Sequence, residues 1–306
     1  MIFRHEYHGG VWVDLEQPSE KEVRQIAEEF SIGQRIVTEV LAPTPAPLTA
    51  RDGNIALLVL HFPSHGEEDG DTKNQEMDFI VGNNFIITVR YEVVVPLHHL
   101  KKLLEAQELV TGRASITTDI LLEILFAHLY TSVRDHTNHT ANHLETIEND
   151  MFSGRERTTV RLISSVSREF LHMESTLANQ EGPLMRFLKL LEQTDFFGNT
   201  FVERAERMIA ERTQIAQLIK THRAITAELR ETNMALLETR QNEIMKTLTI
   251  VNFIFLPLGL IAWIFAMRTE GMPIIGSPNG FWIVLGIMLA VAIALTIFFV
   301  HKRWIS

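Results

Sequence analysis

Two long apolar runs decide what this chain can fold into. Residues 245–267 read MKTLTIVNFIFLPLGLIAWIFAM and, after Lys246, carry no charge until Arg268. Residues 281–300 read FWIVLGIMLAVAIALTIFFV. A bilayer core about 30 Å thick needs roughly 20 apolar residues as a helix, and each run supplies them. The second run is apolar on every face, with Thr296 its one weak polar exception, so it suits lipid. The first holds Asn252 near its middle, flanked by Thr247 and Thr249. An amide buried in hydrocarbon is costly unless it is partnered. Polar groups within membrane helices therefore face another helix or a water-filled path. Two helices cannot enclose a path, so a path lined by Asn252 requires several chains. The alternative is that Asn252 makes only an interhelical hydrogen bond.

Composition narrows the rest. The chain has 306 residues, 46% of them hydrophobic, and a net charge of −10. Residues 1–244 are enough for one or two soluble units ahead of the membrane part. The acidic balance, without a basic stripe, argues against nucleic acid as a partner. There is no cysteine, which removes disulfides, thiolate catalysis and cysteine-based zinc sites. The opening MIFRHEYHGG lacks the apolar core of a signal peptide. His301, Lys302 and Arg303 follow the second run, whereas the loop between the runs holds one Arg and one Glu. The positive-inside rule then places both termini in the cytoplasm.

Residues 1–95 alternate short strands and helices. Residues 2–7, 10–14, 54–62, 77–81 and 85–90 are strand-like, with turns at Gly9-Gly10 and at Gly82-Asn83-Asn84. Ser19 and Glu22 have capping-box spacing, and Val23, Ile26, Ala27 and Phe30 follow at helical intervals. Pro43, Pro45 and Pro47 mark a loop, and residues 65–74 (HGEEDGDTKN) read as a second, solvated one. No phosphate-binding loop, dinucleotide motif or nucleophile elbow is present. From Pro96 onward the pattern is helical. Helices are expected over 97–109, 115–151 and 157–179. Gly182-Pro183 should interrupt the chain before a short helix over 184–191. After a turn at Gly198-Asn199 one very long helix begins, with Pro257 its only breaker before Met267. Ile215, Leu218, Ile225, Leu229 and Leu236 form a candidate helix–helix stripe on it.

This order of parts resembles the CorA family of divalent-cation transporters, including its zinc-transporting ZntB branch. The resemblance rests on VWVDLEQPSEKEVRQIAEEF, on FIVGNNFIITVR and, most specifically, on ETRQNEIMKTLTIVNFIFLP at residues 238–257. It implies an α+β cytoplasmic domain, a long stalk helix and two C-terminal transmembrane helices, joined as a homopentameric funnel. The divisions would be an α/β domain at 1–95, a helical part at 96–199 and the stalk at 200–244. A pore-lining first span at 245–267, an extracytoplasmic loop at 268–280, a second span at 281–300 and a cytoplasmic tail at 301–306 would complete the chain. The implied location is the bacterial inner membrane, and the partners are four further copies, membrane lipid and divalent cations. No resident cofactor is implied: Mg2+ or Zn2+ would be cargo or regulator.

The family signature Gly-Met-Asn at the outer end of the first span is replaced here by Ala266-Met267-Arg268, with Glu270 two residues on. Five Arg268 side chains at a pore mouth would disfavour a cation; as an alternative, Arg268 anchors the helix at the membrane interface. Met245, Leu248, Asn252, Leu256 and Gly259 recur at intervals of three or four and share one helical face. The resemblance makes Met245, Leu248 and Leu256 an apolar constriction that gates by dewetting, with Asn252 as its one polar ring. Glu231 resembles an acidic ring at the cytoplasmic end of the pore. Outside the resemblance, His136, His139 and His143 fall on one helical face at spacing that suits a transition metal, with a polar exposed face as the alternative. The acidic stretch 145–150 belongs at the tip of a helical hairpin. The carboxylates and arginines around 203–207 alternate in sign and do not match the family's regulatory cation site. The leading function is thus a pentameric divalent-cation channel or transporter driven by the ion gradient and membrane potential. A non-conducting sensor or scaffold is the alternative, and nothing points to an enzyme.

Overall fold

The computed structural model describes residues 2–65, 72–111, 116–194, 196–267 and 279–302. They divide into two compact units, residues 1–230 and 231–306.

In the first unit, strands β1 (Ile2–Tyr7), β2 (Gly10–Glu16), β3 (Leu48–Asp52), β4 (Ile55–His65), β5 (Thr72–Val81) and β6 (Phe85–Arg90) form one sheet in the order β1-β2-β6-β5-β4-β3. Its pairings are antiparallel except β2 with β6, which run parallel with Val13 opposite Ile87. Burial on both faces explains why β4 and β6 read as nearly continuous apolar runs. One face packs Val13, Leu15, Leu57, Val59, Ile80 and Ile87 against α1 (Glu20–Glu29) and α2 (Gln34–Glu39). On the other face Phe79 stacks on Phe126 at 4.9 Å between ring centroids. The capping box expected at Ser19 is present: its hydroxyl accepts from Glu22 N–H while the Glu22 carboxylate accepts from Ser19 N–H.

A buried ionic cluster ties the sheet to α3 (Val95–Thr111). Asp14 is fully buried and accepts from Thr88, from Arg90 and from Lys101 of α3. Burying these charges is tolerable because each is paired. Helices α4 (Thr118–Phe152) and α5 (Glu156–Gln193) complete the layer, joined by a tight turn in which Gly154 adopts φ +85°. The hairpin tip expected near the acidic stretch is this turn, closed by an ion pair between Asp150 and Arg155.

Three expectations from the sequence need correction. Gly182-Pro183 does not divide α5, which runs unbroken from Glu156 to Gln193. Gly182 lacks the Cβ that clashes with a following proline ring. Tertiary bonds also hold the segment: Gln180 donates to the His61 carbonyl and accepts from Tyr130, and the Pro183 carbonyl accepts from Thr49. Secondly, β4 and β5 extend into the stretch read as a loop, pairing Pro63 with Asn74 and His65 with Thr72; residues 66–71 lie outside the described set. Thirdly, the buried seam of α6 (Thr200–Ala266) passes through Met208, Arg212, Ile215, Ile219, Thr226 and Leu229, while Ile225 is exposed. The seam takes in polar residues that an apolar pattern skips. Arg212 donates to the Leu177 carbonyl and pairs with Glu181, and His222 stacks on Phe170.

In the second unit α6 continues to Ala266, and α7 spans Gly280–His301. Both helices are long and apolar enough to cross a membrane.

Candidate ion pathway

Pairing with α7 gives α6 two unlike sides. Phe253 of α6 meets Phe299 of α7 edge-on, with ring centroids 6.2 Å apart, and Ile250 and Phe299 are both buried. Apart from Gly259, the partly covered residues of this stretch continue from Ile250 through Ile254, Pro257, Leu258, Ile261 and Phe265. On α7 they run through Val284, Met288, Val291, Ala292, Leu295 and Phe299. Both sets follow the helical repeat, so each is one stripe.

The five residues expected to line a pore lie elsewhere on α6. Each helical residue turns by about 100°, which places Met245, Leu248, Asn252, Leu256 and Gly259 opposite the Ile250–Phe265 stripe. Met245, Leu248, Asn252 and Leu256 are exposed, Leu256 to 72%. A Cβ added at Gly259 would meet nothing within 4 Å. One side of the helix is therefore occupied by α7 and the opposite side is bare apolar surface with one amide on it.

Polar groups along this stretch are satisfied unequally. Thr247 donates to the Glu243 carbonyl and Thr249 to the Met245 carbonyl, so both hydroxyls are closed within the helix. Among the described residues none hydrogen-bonds the Asn252 amide. Pro257, lacking an N–H, also leaves the Phe253 carbonyl without its usual donor four residues on.

A second feature was not foreseen. Arg240, Glu243, Ile244, Thr247, Leu248 and Val251 line a groove of about 480 Å³ along α6. It carries charge at one end and apolar side chains toward the membrane stretch, as a helix entering a bilayer between neighbours should. The alternation of charge and apolar residues in RQNEIMKTL was the available signal.

Of the remaining expected positions, Ala266 and Met267 are exposed at the end of α6, and Glu231 is exposed where the second unit begins. Arg268 and Glu270 lie outside the described residues, as does Arg303. Lys302 is described, and its ammonium sits 5.9 Å from the Phe298 ring centroid.

The three histidines of α4 do not converge. His136 Nε2 lies 2.7 Å from Glu169 Oε1 of α5, an oxygen that also accepts from Thr140. His139 and His143 are exposed, with ring centroids 5.0 Å apart. Among the described residues no three His, Asp or Glu side chains are grouped to hold a metal ion. The carboxylates facing residues 203–207 are likewise occupied. Glu123 accepts from both Arg204 and Arg207, which hold its carboxyl below the ordinary range, and Asp119 pairs with Arg204.

Elsewhere in the first unit one buried carboxyl, Asp78, sits where its charged form is disfavoured. Burial, then the nearby Glu76 charge, pushes Asp78 well above the ordinary carboxyl range. Asp78 Oδ2 accepts from Tyr91, and among the described residues its buried Oδ1 has no hydrogen-bond partner. Glu76 also accepts from Thr44 N–H and faces His61, whose pKa it raises.

Known proteins agree with this architecture. The cobalt/magnesium transport protein CorA of Methanocaldococcus jannaschii is 21% identical over 300 residues, covering 96% of this chain and 91% of its own length. The complete structure of the CorA magnesium transporter from that organism superposes with a TM-score of 0.83 at 19% identity, covering 97% of this chain and 92% of that one. The ZntB cytoplasmic domain of Vibrio parahaemolyticus matches with a TM-score of 0.58 at 13% identity, covering 76% of this chain and 88% of that one. The family described as CorA-like Mg2+ transporter protein matches residues 7–303, and this chain belongs to that family.

Proposed function

We propose that the chain is a membrane transporter for divalent cations, Mg2+, Zn2+ or similar, working as a homopentamer in the bacterial inner membrane with both termini cytoplasmic. Five copies of α6 would line the pathway, and α7 would face lipid around them. The observation that carries this reading is the opposition of the two α6 stripes. With α7 on one side, the bare side bearing Met245, Leu248, Asn252, Leu256 and Gly259 is the surface available to face an axis.

The chemistry fits a hydrated ion. Mg2+ dehydrates reluctantly, so a ring of amides that accepts from its water shell suits it better than a cage of carboxylates. Leucine and methionine on either side of Asn252 would make a constriction that closes by excluding water. The energy would come from the ion gradient and membrane potential, about 2.3 kcal/mol per charge for each 100 mV. Glu231 would add negative charge at the cytoplasmic approach. No step calls for a catalytic residue, and no enzymatic activity is assigned.

A second reading, a sensor or scaffold that no longer conducts, is supported by the ungapped resemblance, which sets Ala266-Met267-Arg268 against the family's Gly-Met-Asn. Uptake of Mg2+, Zn2+ and Co2+ into liposomes bearing the purified protein separates the two. Flux above empty liposomes supports transport, and the order of ions names the substrate. Folded oligomers that pass none of the three, with or without Arg268→Asn, would leave the sensor reading.

A further inference from the structure

The first unit carries a cationic groove that the transport reading does not use. It lies between α5 and α6, encloses about 770 Å³, and is lined by Val160, Arg161, Ser164, Ser167, Arg168 and Leu171 of α5 with Arg223 and Arg230 of α6. Among the described residues four guanidinium groups line it and no carboxylate does, in a chain whose net charge is −10.

Spacing makes the arrangement coherent. Arg161 and Arg168 are seven residues apart, as are Arg223 and Arg230, so each pair repeats on one face of its helix after two turns. Charges are thus placed along about 10 Å of both walls. Arg223 has a carboxylate partner, Glu174 at 2.6 Å. Among the described residues none pairs with Arg161, Arg168 or Arg230. The hydroxyls are also uncommitted. Ser165 donates to the Leu162 carbonyl, as helical serines commonly do, but among the described residues nothing engages Ser164 or Ser167, the two that line the groove.

Like charges gathered in one concavity repel; water and salt screen exposed groups in part, and a bound anion relieves the repulsion further. Arginine presents a planar fork that pairs bidentately with phosphate oxygens. Distribution along both walls fits a linear chain of phosphates rather than one tetrahedral ion, which would meet one end of the groove. Half-exposed Val160 and Leu171 give the groove an apolar margin. We propose that this groove binds a polyphosphate group, either the triphosphate of a nucleotide or inorganic polyphosphate.

The test is calorimetric titration of purified full-length protein, in the absence of divalent ions, with sodium tripolyphosphate, ATP and orthophosphate. Tripolyphosphate should bind once per chain, and orthophosphate at least tenfold more weakly. Arg161→Gln combined with Arg230→Gln should weaken tripolyphosphate at least tenfold, and Arg168→Gln alone should weaken it measurably. All four arginines are exposed, so circular dichroism should report unchanged helix content. Arg35→Gln, on α2, should bind as wild type. ATP equal to tripolyphosphate would assign the phosphate chain as the recognised part; tighter ATP would add base contact with the apolar margin. Absence of tripolyphosphate binding, equal affinity for orthophosphate, or binding unmoved by the arginine variants would overturn the proposal. So would a wild type that binds none of the three while the double variant changes oligomer size, because the groove would then seat an acidic segment of another copy.

Discussion

Ile250 and Asn252 stand two residues apart on α6 and on opposite sides of it. Ile250 is buried, in the stripe that meets α7, and Asn252 is exposed about 200° around the helix. An amide at membrane depth without a partner among the described residues is satisfied by water or by a neighbouring copy. Asn252→Leu should therefore reduce Mg2+ uptake into liposomes to the level of empty vesicles, whereas Asn252→Gln, which keeps the amide, should retain part of it. Unchanged flux in the leucine variant, together with a less stable oligomer in detergent, would mean that Asn252 only bonds a neighbouring helix.

Arg268 should limit flux if it faces the axis. A divalent ion about 10 Å from five unit positive charges meets a barrier of about 4 kcal/mol in water before screening. Salt at physiological strength screens over roughly 8–10 Å and leaves a part of that. Arg268→Asn should then raise uptake on the order of tenfold, and raising the ionic strength outside the vesicles should narrow the gap between variant and wild type. An Arg268→Asn rate equal to wild type at low salt would place the side chain away from the axis, at the lipid interface.

How much of this could be read in advance follows the range of the forces involved. The Ser19–Glu22 cap was legible because both partners lie within one helical turn. The stripe from Met245 to Gly259 was legible because helical period alone assigns a face. What lies against the opposite stripe was not, since only the packing of α7 shows that Phe253 meets Phe299. Pro183 misled for the same reason: its tolerance rests on Thr49, His61 and Tyr130, all far away in sequence. Ile225 was apolar and correctly spaced, yet the seam passed through Thr226, whose hydroxyl is closed on the His222 carbonyl and so can be buried.

The histidines of α4 give a negative prediction. A three-histidine zinc site needs all three rings free to turn toward one point. His136 is held by Glu169, an interaction across 33 residues that spacing within α4 could not reveal. Replacing His136, His139 and His143 together by alanine should leave the zinc stoichiometry of the purified protein unchanged in an equilibrium titration at neutral pH. Loss of one zinc per chain would show that the helices rearrange around a metal.

Asp78 and His61 set how the first unit responds to pH. The folded state raises the Asp78 pKa above its reference of 3.8, so it holds a proton that the unfolded chain releases. Its contribution is present below that reference and is lost as pH rises through the folded value. His61, raised above 6.5 by Glu76, follows the same sign: its contribution is complete below 6.5 and is lost as pH climbs through the folded pKa. Glu123, lowered by Arg207 and Arg204, acts oppositely, and its contribution is lost as pH falls below 4.5 through its folded value. Above pH 6.5 the His61 contribution is lost as pH rises through its folded pKa, while His222, lowered by burial, acts oppositely only below 6.5, so thermal unfolding of the first unit within the full-length protein should move to lower temperature as pH rises above 6.5. Asp78→Asn keeps a donor toward Glu76 and an acceptor for Tyr91 without a proton to lose. That variant should be more stable than wild type at pH 8, because it has no carboxyl to ionise in a buried site. The advantage should shrink toward pH 5. A variant less stable than wild type at pH 8 would mean that Asp78 is ionised in the folded protein and that its charge is compensated there.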